Sequence, residues 1–65
     1  MKLLLNGKER EVQATQVEAL VAEVGLPLAA ALVERNGTAL LRSEWPKTSL
    51  QAGDHLEIIR MVAGG

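Results

Sequence analysis

The group best placed to do chemistry in this sequence is the carboxylate of Gly65, which follows Gly64. At ordinary glycine usage, two adjacent terminal positions are both glycine in roughly one sequence in 200, so the pair calls for an explanation. Without side chains it can thread a narrow channel and bring its carboxylate to a nucleotide. Fully extended, Val62 to Gly65 reach about 13–14 Å. Chain ends are also commonly disordered, so position alone leaves a functional tail and an idle one both open.

Other chemistry finds little support. His55 is the only histidine, and Asp54 beside it points to the other side if both lie in a strand. Ser43 and Ser49 have no recognisable base partner, so a Ser-His-Asp site is not supported. There is no cysteine to serve as nucleophile or thiolate ligand. No phosphate-binding glycine motif and no His/Asp/Glu cluster of metal-ligand spacing is present. These residues argue against a free-standing enzyme, and no cofactor or metal is expected.

Composition narrows the class further. The 65 residues carry 7 Lys/Arg against 8 Asp/Glu, a net charge of −1. A chain this short buries about 60% of its unfolded surface, enough for one small domain without an enclosed active site. Lacking disulfides, it must rely on regular, well-packed elements. The near-zero charge lacks the basic stripe of a nucleic-acid module. Its longest apolar run, Leu28 to Val33, is far below the roughly 20 residues of a membrane span. Met1-Lys2 leads into a strand-like segment without a signal-peptide core. The expectation is a cytoplasmic protein with no nucleic-acid or membrane partner.

The elements follow from turn and periodicity signals. Asn6-Gly7 and Asn36-Gly37 supply the positive φ values of type I′ hairpin turns. The first joins apolar Lys2–Leu5, a buried central strand, to charged Lys8–Val12, an edge strand. Val17, Leu20, Val21 and Val24 form one apolar stripe, predicting a helix from about Gln16 to Val24. Thr15 and Glu18 have capping-box spacing at its start. Gly25 and Pro27 end it. Ala30–Arg35 and Thr38–Leu41 read as a second hairpin, with Arg35 standing where an apolar residue is expected. Arg42–Lys47 reads as a loop or single turn around Trp45, and Gln51–Asp54 as a further turn. In the closing strand, His55 to Val62, Leu56 and Ile58 alternate with Glu57. The order β-β-α-β-β-β predicts an α+β protein, a helix packed across one face of a small mixed sheet.

A docking surface can also be read from this alternation. If Leu56 and Ile58 face the helix, Ile59 and Met61 share the opposite face with Glu57. Exposed apolar residues beside a reactive tail make a partner patch; the alternative buries them under the Trp45 loop. Trp45 itself suits a plug for the smaller end of the core better than a partner anchor. Glu57, Glu44 and Asp54 are candidate steering charges, with a scattered charged surface as the default.

The whole chain resembles the ubiquitin-like sulfur carriers, and among them the ThiS family. The resemblance rests on Leu5-Asn6-Gly7, Asn36-Gly37, Arg42-Ser43-Glu44-Trp45 and Leu50-Gln51-Ala52-Gly53-Asp54. It continues through Leu56-Glu57-Ile58-Ile59-Arg60-Met61-Val62-Ala63-Gly64-Gly65. It implies a β-grasp (ubiquitin-like) domain over residues 1–62, its first and last strands central and parallel, and a flexible tail over 63–65.

The resemblance also implies a mechanism. A ThiF-type adenylating enzyme, consuming ATP-Mg, activates the Gly65 carboxylate as an acyl-adenylate. A persulfide sulfur donor then converts it to a thiocarboxylate, which donates sulfur to a ThiG-type thiazole synthase in thiamine biosynthesis. The chain is a co-substrate in this scheme. Ala63 and Gly64 thread the partner, and Ile59, Met61 and Val62 contact it. The tail leaves open a sister carrier for molybdopterin or tRNA thiolation, protein conjugation through Gly65, and a plain β-grasp interaction module.

Overall fold

In the computed structural model, which describes residues 1–62, each Asn-Gly pair makes the turn its chemistry favours. Asn6 and Asn36 sit at φ 51° and 49°, with Gly7 and Gly37 at 82° and 85°. Both central residues of a type I′ turn need positive φ, which asparagine tolerates and glycine adopts freely. The first turn joins β1 (Lys2–Leu5) to β2 (Lys8–Glu11), the second β3 (Ala31–Arg35) to β4 (Thr38–Leu40). With β5 (His55–Arg60) these strands form one sheet of order β2-β1-β5-β3-β4. β5 runs parallel to β1 and antiparallel to β3, so the apolar first and last strands are adjacent inside the sheet. Charged β2 lies at an edge with all four residues exposed, where charge discourages pairing with other chains.

The helix α1 (Val17–Glu23) buries Val17, Leu20 and Val21, the stripe read from the sequence. These pack in one core with Leu3, Leu5, Val33, Leu56 and Ile58 of the sheet. Gly25, at φ 85°, closes the helix with two bonds: its N–H to the Ala22 carbonyl (3.0 Å) and the Leu26 N–H to the Val21 carbonyl (3.4 Å). This is the Schellman arrangement, which needs the left-handed conformation.

The helix start differs from expectation. Thr15 and Glu18 form no capping box; the N-cap is Gln16, whose side chain accepts the Ala19 N–H at 3.2 Å. A distant segment holds the chain extended for one residue more. Leu50 N–H donates to the Thr15 carbonyl (3.0 Å), and Gln16 bridges Ser49.

Four strand ends also move inward, β4 stopping at Leu40 where the Leu41 N–H turns to the Glu44 carboxylate (2.7 Å). Leu28–Ala30 form a 3-10 turn because Ala30 N–H folds back onto the Pro27 carbonyl (3.0 Å), delaying β3 to Ala31. β5 ends at Arg60 since its last partner is Ala31; Met61 N–H makes one further bond, to Ala30 (2.6 Å). Val12, expected in β2, lies past the strand and is buried, its N–H bonded to the Met1 carbonyl (2.8 Å).

The loop around Trp45 is a 3-10 helix, Arg42–Lys47. Trp45 is 1% exposed within the core, so it fills the interior and does not anchor a partner. The Arg42 guanidinium lies 5.2 Å from the centre of its ring, within cation–π range. No helix of the described residues is long and apolar enough to cross a membrane. The expected tail, Ala63 to Gly65, lies outside the described residues.

Candidate functional site

The strand that leads to the C-terminal residues is held by the two asparagines of the hairpin turns. β1 pairs with β5 only through Leu4–His55 and Leu5–Leu56, because at Asn6 the chain turns away. The Asn6 backbone N–H makes the last ladder bond, to the Leu56 carbonyl (2.8 Å), and its side chain carries the ladder one step further. Its Oδ1 accepts the Ile58 N–H (2.9 Å), and its Nδ2 donates to the Ile58 carbonyl (3.1 Å). Asn36 does the same at the other end. Its backbone N–H donates to the His55 carbonyl (2.8 Å), and its Oδ1 accepts the His55 N–H (2.9 Å). Each asparagine therefore serves twice, as a turn former and as a strand clamp. Sequence reading found only the first role; the choice of asparagine over aspartate, which turns as well but cannot donate, was the available signal.

Beside this clamp, Asp54 is buried, which corrects its reading as a surface steering charge. Its Oδ2 accepts the Gln51 N–H (2.9 Å) and the Arg35 Nε (3.0 Å), and its Oδ1 accepts the Asn36 Nδ2 (3.1 Å). Burial pushes the carboxyl up, but the Gln51 N–H, the Asn36 amide and the Arg35 guanidinium outweigh it and hold the pKa below its ordinary value of 3.8. The ion pair explains why Arg35 occupies an inward position of β3: it extends to the only buried carboxylate among the described residues. Glu44, another expected steering charge, accepts the Leu41 N–H (2.7 Å) and so caps the 3-10 helix.

The expected contact residues lie together. Leu56 and Ile58 are buried, whereas Ile59 is 56% exposed, Met61 46% and Val62 85%. The Trp45 loop does not cover them. Glu57 is exposed on the same face as Ile59, and His55 is exposed at the strand's start. Sequence reading missed Leu32, which pairs with Ile59 across β3 and β5 and is 48% exposed. The alternation Ala31-Leu32-Val33 already placed it on the outer face. Leu32, Ile59, Ala39, Glu34 and Glu57 border a shallow depression of about 210 Å³. Nothing among the described residues groups three His, Asp or Glu side chains as a metal site. Ala63, Gly64 and Gly65, the expected reactive end, lie outside the described residues.

The model of the ThiS family matches residues 3–65, the terminal glycines included. The chain belongs to the ThiS family. It is 31% identical over 61 residues to the sulfur carrier protein ThiS of Thermus thermophilus, covering 94% of this chain and 95% of that protein. It is 39% identical over 66 residues to a thiazole synthase of Paramagnetospirillum magneticum, but there it spans only 20% of the relative's length. Among solved structures, the crystal structure of a thiamine biosynthesis protein (ThiS) from Geobacter metallireducens superposes with a TM-score of 0.84 at 29% identity, each chain fully covered. A solution structure of a Geobacter metallireducens thiamine biosynthesis protein gives 0.82 at 30% identity, covering 88% of that chain. The β-grasp fold expected from the resemblance is thereby shown.

Proposed function

We propose that this protein is a sulfur carrier of thiamine biosynthesis whose reactive atom is the carboxyl carbon of Gly65. The observation that carries this reading is the ThiS family match running through residue 65. The exposed Ile59, Met61 and Val62 leading to that end support it.

The chemistry needs an activated acyl group, because a carboxylate oxygen is a poor leaving group. A carboxylate oxygen of Gly65 attacks the α-phosphorus of ATP on the adenylating partner, and pyrophosphate leaves. The terminal sulfur of a partner's cysteine persulfide then attacks the acyl carbon, and AMP departs with the bonding pair. A second thiol takes up the donor cysteine as a disulfide, which leaves the thiocarboxylate on Gly65. Thiazole synthase is the acceptor, a reading supported by the match within such an enzyme. The chain's own tasks are to present an extended, side-chain-free end and to dock. Ala63 and Gly64 thread the partner's channel, while Ile59, Met61 and Val62 lie against its surface. The absence of cysteine leaves no internal thiol to intercept the activated acyl group.

The test is intact mass after incubation with ATP, a sulfur source and the cognate adenylating enzyme. The expected product exchanges one oxygen for sulfur at Gly65, only when ATP is present. Deleting Gly65 abolishes it while the far-ultraviolet spectrum stays native. An unchanged mass with an adenylating enzyme of demonstrated activity refutes the carrier reading.

A further inference from the structure

The outer face of the sheet breaks a rule of strand pairing at one place. The register of β3 and β5 sets Glu34 directly opposite Glu57, and both are exposed. Like charges directly opposite on an antiparallel pair are destabilising. Neither carboxylate has an ion-pair partner among the described residues, whose two salt bridges join the Met1 amino group to Glu11 and Arg35 to Asp54. On β4, the position facing Glu34 is Ala39, which brings no charge. Two residues further along, on the same face, Leu32 and Ile59 stand opposite each other and exposed. Local choices that disagree with the fold's own stability are expected at functional surfaces.

We propose that this depression docks an arginine side chain presented by the adenylating partner, its guanidinium between Glu34 and Glu57 and its aliphatic stem on Leu32, Ala39 and Ile59. The proposal rests on the carrier reading and gives the chemistry of the docking partner. Directly opposed residues place their Cβ atoms about 4.5–5.5 Å apart, so both carboxylates reach one planar, five-donor fork. Lysine brings only a point charge. Arginine's three-carbon stem lies on apolar surface while its head stays polar, which suits a depression with carboxylates at one end and Leu32 and Ile59 at the other. A hard divalent cation would find only these two carboxylates and keep most of its water shell, with no third His, Asp or Glu grouped beside them among the described residues.

A docking role gives the pair opposite effects on folding and binding. Neutralising either carboxylate relieves repulsion in the free chain, yet removes an acceptor from the bound arginine. The test uses the full chain as Glu34→Gln, Glu57→Gln and the double variant. It measures the adenylating enzyme's KM for the carrier and its kcat, together with the Tm of the carrier alone. The double variant is expected to raise KM about tenfold, the usual scale for losing a charge-assisted interfacial contact, with kcat unchanged and Tm equal or higher. Added salt is expected to narrow the difference in KM. A double variant with wild-type KM overturns the proposal, as does one whose Tm falls as its KM rises. Sedimentation of the free wild-type chain as a dimer that the double variant dissolves also overturns it, since the occupant is then a second copy. Failure of the wild-type chain to gain sulfur sinks the carrier reading and this proposal together, whereas a charged wild type with indistinguishable variants sinks this proposal alone.

Discussion

Replacing Asp54 by asparagine changes one atom in a network that closes the start of β5, and its cost can be worked from the geometry. The two carboxylate oxygens take three donors: Gln51 N–H and Arg35 Nε on Oδ2, and Asn36 Nδ2 on Oδ1. Asparagine has one oxygen. Turned to keep Gln51 and Arg35, it sets its NH₂ against the Asn36 amide. That amide cannot flip without losing the bond its Oδ1 accepts from His55 N–H. The minimum loss is the charge-assisted bond from Asn36 plus the charge assistance of the half-buried Arg35 pair, together about 2–3 kcal/mol. For a domain of this size each kcal/mol shifts Tm by about 4–8 °C, so the variant is expected to melt roughly 10–20 °C lower at pH 7. The change is a large fraction of the few kcal/mol that stabilise so short a chain.

The same network fixes the pH dependence of that gap. Because the folded pKa of Asp54 lies below 3.8, the ionised form favours the native state. The contribution is complete above the ordinary carboxylate pKa and is lost as pH falls through the depressed folded value. The two proteins should therefore differ by a constant amount from pH 7 down to about pH 5 and converge below about pH 4. Other carboxylates titrate in both and cancel in the comparison. Thermal melts followed by fluorescence of Trp45, the one tryptophan and 1% exposed, supply the measurement. Equal melting temperatures at pH 7, or a gap that persists unchanged at pH 2.5, would refute the reasoning.

Two further outcomes follow from the strand that carries the site. Ile59→Ser acts on a side chain already 56% exposed, so Tm should move by no more than a surface change does, about 0.5 kcal/mol. Docking then loses the apolar area still to be buried, worth about 1–1.5 kcal/mol and read as a several-fold rise in the adenylating enzyme's KM; a matching fall in Tm would make the residue structural. Asn6→Asp keeps the positive φ and the acceptor for Ile58 N–H but sets a carboxylate oxygen against the Ile58 carbonyl, which Asn6 Nδ2 now reaches at 3.1 Å. The expected cost is about 1–3 kcal/mol, with amide exchange speeding up at Ile58 more than at Leu3 and Leu5, and uniform acceleration would contradict the clamp.

What the sequence determined alone was whatever a few neighbouring residues can decide. Asn6-Gly7 and Asn36-Gly37 specify their turns because φ/ψ preference is local. The stripe Val17, Leu20, Val21 and the Gly25 cap specify a helix and its end because those bonds close within one or two turns. Alternation through Leu56-Glu57-Ile58-Ile59 separated buried from exposed positions, since successive strand residues point to opposite faces. The glycine pair at the end and the resemblance along the whole chain pointed to the family without any coordinates.

Tertiary structure decided the features that need two distant segments to meet. Gln16 caps the helix in place of Thr15 because Ser49 and Leu50 hold the preceding residues extended. Asn6 clamps Ile58 across a separation of 52 residues, and Asp54, legible only as one more charge, becomes buried when Arg35 and Asn36 converge on it. Glu34 and Glu57 face each other only because β3 and β5 pair in one register, and a slip of a single residue would turn every side chain of one strand to the other face. Register is a property of two strands together, so neither segment's sequence could state it.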